Sequence, residues 1–330
     1  MNYSKVEKIA IIGCGYWGTN IAKVLNLLKI KKIICFDTNE KNLKTIAKRF
    51  KNVEIAKKLS DILDDQFIKA IFICVPTSLH YSYAKKCLLK GKNIFVEKPL
   101  SNKSHHIKNL LKISTKKKLK IMSGYVYLFN KYIKFIKEEI IAKNSFGKII
   151  YIEFIRKNYG PIRKDVSSLW DLASHDISIL KFFYNAKFTE KRFVRTSVNK
   201  NKIYDIYNLN FKINKIPVNI NVSWLYPEKI RQISIIGTKK VLIFDELNLE
   251  SPIRIYNKLR KYPSPKEMNL KLFNPQQKLN IEKPMEIKFK NFSPLSEEIK
   301  YFLNAVYLNK PILVDGKFAY KISKELETFE

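Results

Sequence analysis

KIAIIGCGYWGTNIAKVLNLLKIKKIICFD, residues 8–37, contains a complete strand–turn–helix–strand unit. Ile9 to Ile12 is a short apolar run that reads as a strand. Glycines follow at Gly13, Gly15 and Gly18, framing Tyr16 and Trp17. Trp17, Ile21, Val24, Leu25 and Leu28 then recur at helical spacing, one apolar face of a helix. A second apolar run, Ile33 to Phe36, ends in Asp37, nineteen residues after the last glycine. Glycines between a strand and a helix, with an acid at the end of the next strand, form a dinucleotide-binding fingerprint. Gly13 permits the turn, Gly15 lets backbone approach a pyrophosphate, and Gly18 lets helix and strand pack closely. The helix N-terminus offers unpaired N–H groups to phosphate. Asp37 suits ribose hydroxyls and repels a 2′-phosphate. No arginine follows it, only Thr38, Asn39 and Glu40, with Lys41 the one nearby cation. The expected cofactor is NAD.

The pattern repeats outward from this unit. Ala70 to Val75 is a continuous apolar run of the kind that forms a parallel strand buried on both faces. It stops at Pro76, and Thr77 or Ser78 is placed to cap the helix that follows. Asn93 to Val96 is the next strand and runs into Glu97-Lys98-Pro99. The alternation predicts a doubly wound parallel sheet, an α/β Rossmann domain over residues 1–123. From residue 124 the pattern changes. Long segments such as Tyr151 to Arg156 alternate with period two. They predict an α+β second domain over residues 124–330, with a large, mainly antiparallel open sheet. Within it Trp170 to Tyr184 reads as a helix, Pro252 to Lys290 as loop with one or two strands, and two helices close the chain.

Composition narrows the classes. The chain has 330 residues, 46% of them apolar, so a large core is available. Its formal charge of +34 comes from 63 basic residues, of which only 8 are arginine. The lysines are spread along the whole chain, and nucleic-acid surfaces lean on arginine for bidentate contacts. The charge is read as a compositional bias that draws in an anionic substrate. No nucleic-acid or membrane partner is expected. Cys14, Cys35, Cys74 and Cys87 have no metal-ligand spacing, so no metal site is expected, and reduced thiols suit a cytoplasmic protein.

Two constellations carry chemistry. Lys98 projects beyond a strand end, held extended by Pro99, and can exchange a proton with a substrate hydroxyl. Asp171 and His175 stand four residues apart on one helix face. The segments G-C-G-Y-W-G, P-T-S-L-H, E-K-P and D-L-A-S-H, with a late V-D-G at Val314 to Gly316, together resemble the Gfo/Idh/MocA oxidoreductases. The resemblance implies hydride transfer between nicotinamide and a sugar or polyol carbon. It implies catalytic roles for Lys98, Asp171 and His175, and contact of the Pro76, Thr77, His80 and Glu97 segments with the cofactor. His80 matches a histidine near the nicotinamide ribose. The stretches from Arg156 to Ser178 and from Ser223 to Arg231 are similar to a branch acting on nucleotide-linked amino sugars at C3, such as UDP-N-acetylglucosamine or its uronic acid.

The expected substrate is therefore an anionic nucleotide sugar. Arg156 and Arg163 flank Tyr159 and a Gly160-Pro161 turn, and they are candidates to grip a diphosphate while Tyr159 stacks on a base or sugar. The other reading of Arg156 is an outward position on an alternating strand. Lys229 and Arg231 are placed to add charge. A free-sugar or polyol dehydrogenase and a non-catalytic NAD-binding regulator are the alternatives. The open sheet face is a natural surface for a homo-oligomer.

Overall fold

The computed structural model describes the chain except residues 161, 164, 199–202, 258–282 and 291. Pro161, and the prolines at 263, 265 and 275, therefore lie outside the described residues.

The first sheet has six parallel strands: β1 (Lys8–Ile12), β2 (Lys32–Phe36), β3 (Val53–Ile55), β4 (Ile68–Ile73), β5 (Asn93–Glu97) and β6 (Ile121–Gly124). Their spatial order is β3-β2-β1-β4-β5-β6. β1 and β5 are buried at every position but the first, as strands covered on both faces must be. The covering helices include α1 (Tyr16–Leu27), α2 (Glu40–Arg49), α3 (Leu59–Leu63), α4 (Thr77–Leu89) and α5 (Ser104–Lys117). The order reverses between β1 and β4, so a crevice opens beyond their carboxyl ends. Gly13, at φ +91°, turns the chain there, and a Cβ on it would lie 2.7 Å from the Cys74 backbone. A Cβ on Gly18 would lie 2.0 Å from the Gly13 carbonyl oxygen, whereas one on Gly15 would meet nothing within 4 Å. The second and third glycines thus separate into an open crevice floor and a packing role, respectively.

A short helix α6 (Lys131–Phe135), continued by a π-helical turn over Ile136–Ala142, leads to the second sheet. That sheet holds β7 (Ile149–Tyr159), β8 (Phe188–Thr196), β9 (Ile206–Ile213), β10 (Ile216–Ser223), β11 (Leu225–Gly237), β12 (Lys240–Asp245), β13 (Ile253–Asn257) and β14 (Met285–Ile287). The order is β14-β13-β12-β11-β7-β10-β9-β8. It is mixed: β10 pairs β7 in parallel, the other pairs being antiparallel. Between β7 and β8 runs α7 (Ser174–Phe183), preceded by a π-helical turn at Leu169–Ala173. Asp171 lies in that turn and His175 in the α-helix after it. Such bulges often mark functional positions.

The two closing helices, α8 (Pro294–Tyr307) and α9 (Gly316–Leu326), return to the first sheet. Phe302 of α8 packs edge-on against Phe72 of β4 and Phe95 of β5, with ring centroids 5.3 and 5.8 Å away. The C-terminal stretch therefore covers part of the N-terminal core. No described helix is long and apolar enough to cross a membrane.

Candidate active site

A trough of about 650 Å³ follows the carboxyl ends of β2, β1, β4 and β5. Gly13, Gly15, Tyr16, Trp17, Asp37, Pro76, Thr77, His80, Glu97 and Lys98 all line it, and Gly18 lies beneath, packing helix to turn. At one end the Asp37 carboxylate accepts the Cys14 N–H at 2.7 Å, the Asn39 N–H at 2.8 Å and the Asn42 side-chain amide at 3.0 Å. These bonds hold the carboxylate at the rim of the glycine turn.

The other end departs from expectation in its details. Thr77 opens α4 with Pro76 as N-cap, and neither Thr77 nor Ser78 caps the helix with its side chain. The Thr77 N–H donates to Asp165 at 3.1 Å, so the second half of the chain supplies the cap. His80 is buried and bridges the Pro99 carbonyl through Nδ1 at 2.7 Å and the Val75 carbonyl through Nε2 at 2.8 Å. Burial lowers its pKa and outweighs the two carbonyls, which favour the charged ring. The neutral ring has one N–H to donate to these carbonyls, and it packs between the ends of β4 and β5. Glu97, also buried, is pushed up to about 7 by desolvation, against the opposing charge and backbone N–H of Lys98.

A second cavity, of about 590 Å³, adjoins the trough, and Trp17, Lys98 and Asp171 line both. Lys98 Nζ donates to the Asp171 main-chain carbonyl at 2.7 Å and to its carboxylate at 3.1 Å. The same carboxylate accepts from the Trp224 indole at 3.1 Å and from Arg163 at 3.4 Å. Burial opposes ionisation of Asp171, but the charges of Lys98 and Arg163 and hydrogen bonds from Lys98 and Trp224 prevail, and its pKa is lowered. Asp171 thus orients Lys98 rather than His175.

His175 lines the second cavity, its ring edge-on to Tyr127 at 4.9 Å, and its buried Nδ1 has no hydrogen-bond partner. Desolvation, then the charges of Lys98, Arg156 and Arg231, hold its pKa well below the ordinary value. The imidazole is therefore held neutral.

The arginines take other places than the sequence suggested. Arg156 is neither outward nor free: its period-two neighbours Ile152 and Phe154 are core residues, and it is itself 4% exposed. Its Nε and Nη2 donate to Asp176 at 2.9 and 2.7 Å, and its Nη1 to the Tyr127 hydroxyl at 2.7 Å. Tyr127 in turn donates to Glu246 at 2.7 Å. A guanidinium held this way is part of the wall. Arg163 faces the trough, where it binds Asp165 at 2.7 Å and the Thr77 hydroxyl at 3.3 Å. Tyr159 is 78% exposed and lines neither cavity. Lys229 and Arg231 do line the second cavity. Arg231 stands opposite Arg156 across the β7–β11 pair and donates to Asn158 at 2.6 Å. Lys229 is exposed.

Sequence reading missed Tyr127, Asp165, Trp224 and Glu246. Asp165 and Trp224 lay inside stretches noted only for their resemblance, and nothing in the local pattern marks Tyr127 or Glu246. Among the described residues no group of three or more His, Cys, Asp or Glu is arranged to hold a metal.

The model of the "Oxidoreductase family, NAD-binding Rossmann fold" matches residues 7–125. Over those residues the chain is similar to the NAD-binding domain of the Gfo/Idh/MocA oxidoreductases. Among curated relatives, an uncharacterised oxidoreductase YrbE of Bacillus subtilis is 27% identical over 189 residues, covering 54% of each protein. Glucose-6-phosphate 3-dehydrogenase of the same organism is 24% identical over 212 residues, 59% of each. The match thus spans little more than half the length of these family members. Among solved structures, the UDP-N-acetylglucosamine 3-dehydrogenase GnnA of Acidithiobacillus ferrooxidans superposes with a TM-score of 0.79 at 18% identity. That superposition covers 97% of this chain and 95% of GnnA, so the likeness in fold extends over both sheets. The trough suits the NAD of that family description: the floor at Gly15 is open, with nothing within 4 Å of where a Cβ would stand, and Asp37 closes the far end.

Proposed function

We propose that this protein is an NAD-dependent dehydrogenase that oxidises a secondary hydroxyl on the ring of an anionic sugar, a nucleotide-linked amino sugar at C3 being the preferred substrate. One observation carries the reading: the trough and the second cavity meet at Lys98 and Asp171, so a bound dinucleotide and a bound sugar would face one another across a proton-transfer group. Bound NAD supplies the hydride acceptor. In the trough, Gly13, Gly15, Tyr16 and Trp17 would hold the pyrophosphate region and Asp37 the adenosine ribose. Pro76, Thr77, His80 and Glu97 would shape the nicotinamide end.

The chain's own residues account for the proton. When hydride leaves the carbinol carbon, the hydroxyl proton must pass to a base. Lys98, held by Asp171, would stand beside the reacting hydroxyl and accept this proton after releasing one of its own to solvent, or donate one in the reverse direction. His175, neutral in the same cavity, is the second acceptor. Lys229 and Arg231 would meet the negative charge of the substrate, the place first given to Arg156 and Arg163.

The names of two similar proteins, one acting on glucose 6-phosphate and one on UDP-N-acetylglucosamine, both at C3, support an anionic sugar. The commitment of Arg156 and Arg163 to internal carboxylates favours a second reading within the class, a phosphorylated free sugar. A panel of UDP-sugars, sugar phosphates, free sugars and inositols, assayed with NAD by absorbance of the reduced nicotinamide, separates them. Turnover of free glucose or myo-inositol as fast as any anionic sugar removes the charge argument. The same reading places homo-oligomerisation on the outer face of the second sheet, where Tyr151, Ile155, Ile236 and Ile243 lie half-buried. Light scattering of the purified protein tests this.

A further inference from the structure

Glu298 is a carboxyl with no role in the chemistry above. It is 1% exposed, and neither carboxyl oxygen has a hydrogen-bond partner. A buried carboxylate left that way would be very costly. Its position in the fold supplies a reason for it. On α8, Phe302 packs on Phe95 of β5. Glu298 comes one helical turn before Phe302, and Glu97 comes two residues after Phe95 on the same strand face. One turn of helix and two residues of strand each advance the chain about 6 Å. The start of α8, Ser293 to Leu295, lines the cavity that holds Lys98, so the helix runs opposite to β5. Glu298 therefore lies over Glu97, the carboxyl that lines the trough beside Lys98.

We propose that Glu97 and Glu298 form a coupled carboxyl pair in which Glu298 keeps its proton and Glu97 presents a single negative charge to the nicotinamide end of the trough, so that the oxidised cofactor is held more tightly than the reduced one. The inference rests on the NAD reading above. Two like charges this close cannot both persist in a dry interior. Desolvation and then the charge of Glu97 push Glu298 well above the usual carboxyl range. Glu97 titrates at about 7, desolvation raising it and Lys98 opposing. The other groups facing the pair are Lys98, the Cys74 thiol at the end of β4, and the Tyr125 phenol beyond β6. Burial holds the pKa of both well up. Tyr127, on the turn packed against α8, is bonded to Glu246. The oxidised nicotinamide ring is cationic and the reduced ring neutral, so ionisation of Glu97 favours the oxidised form alone.

The test is the dissociation constant of NAD⁺ and of NADH for the full-length protein between pH 6 and 8.5, by calorimetry, for the native chain, Glu97→Gln and Glu298→Gln. Native NAD⁺ binding should tighten at least about tenfold as Glu97 ionises, the scale of one charge about 10 Å away through protein, while NADH binding stays within about twofold. Glu97→Gln should abolish the trend. Glu298→Gln, whose amide mimics the protonated acid, should preserve it. Persistence of the trend in Glu97→Gln, or its loss in Glu298→Gln, overturns the proposal. Binding of both cofactor forms with a flat ratio in the native protein overturns it alone, whereas failure to bind either form overturns the NAD reading with it.

Discussion

Lys98, at the end of a strand in the first sheet, and Asp171, in a π-helical turn of the second half, are joined by two contacts at 2.7 and 3.1 Å. They hold the proton-transfer candidate at the seam between two cavities. Trp224 and Arg163 hold Asp171 in turn. The seam is built by three separate parts of the chain, and each prediction below perturbs one part of the site it organises.

Lys98→Met should lower turnover about 10²–10⁴-fold, the span of a general acid–base group, while NAD affinity stays within a few fold. Steady-state rates beside calorimetric NAD binding decide it. Near-normal turnover would move the proton-transfer role to His175.

Arg156 and Lys229 should behave as opposites. Arg156→Met leaves Asp176 buried and unpaired, which costs about 3–5 kcal/mol, so the loss should appear in the urea midpoint. Lys229 is exposed on the cavity wall, so Lys229→Ala should leave the midpoint unchanged and raise KM for an anionic substrate several-fold. A normal midpoint for Arg156→Met would return that arginine to the list of substrate contacts.

Asp37 should reject NADP. Its carboxylate is already fixed by the Cys14 N–H, so a 2′-phosphate would meet an anion that cannot swing away. Efficiency with NADP should fall at least about tenfold below that with NAD, and Asp37→Ser should narrow the gap. Equal efficiency with both cofactors in the native protein would show that Asp37 does not face the ribose.

His175 should make the protein sensitive to mild acid. Its pKa in the folded chain lies well below the unfolded value of about 6.5. Between those values the unfolded chain binds the extra proton, so stability falls as pH drops below about 6.5 and is restored above it. His175→Gln should raise the urea midpoint at pH 5.5 relative to that at pH 7, beside the opposite contribution of Glu97 and Glu298, whose raised pKa values favour the folded chain in mild acid. An unchanged slope would mean that His80, buried with a lowered pKa of its own, accounts for the whole effect.

The sequence by itself determined the first sheet and the cofactor trough. Their determinants are local: glycines at fixed offsets, apolar runs of strand length, and an acid at the next strand end. Each residue acts through its own backbone or its immediate neighbours, so spacing along the chain is spacing in the fold. Period two likewise marked the long strands of the second sheet. Only the tertiary structure decided which charged groups are free. Arg156 and Arg163 looked alike in sequence, both rare arginines beside a turn. One became a buried partner of Asp176, twenty residues away, and the other a clasp on Asp165 and Thr77. The parallel β7–β10 pair, the capping of α4 by Asp165, the Trp224 bond to Asp171 and the burial of Glu298 over Glu97 share this character. All depend on long-range packing that brings distant polar groups together in a medium of low dielectric. There an ion pair or a lost proton is settled by the nearest countercharge, which linear sequence does not reveal.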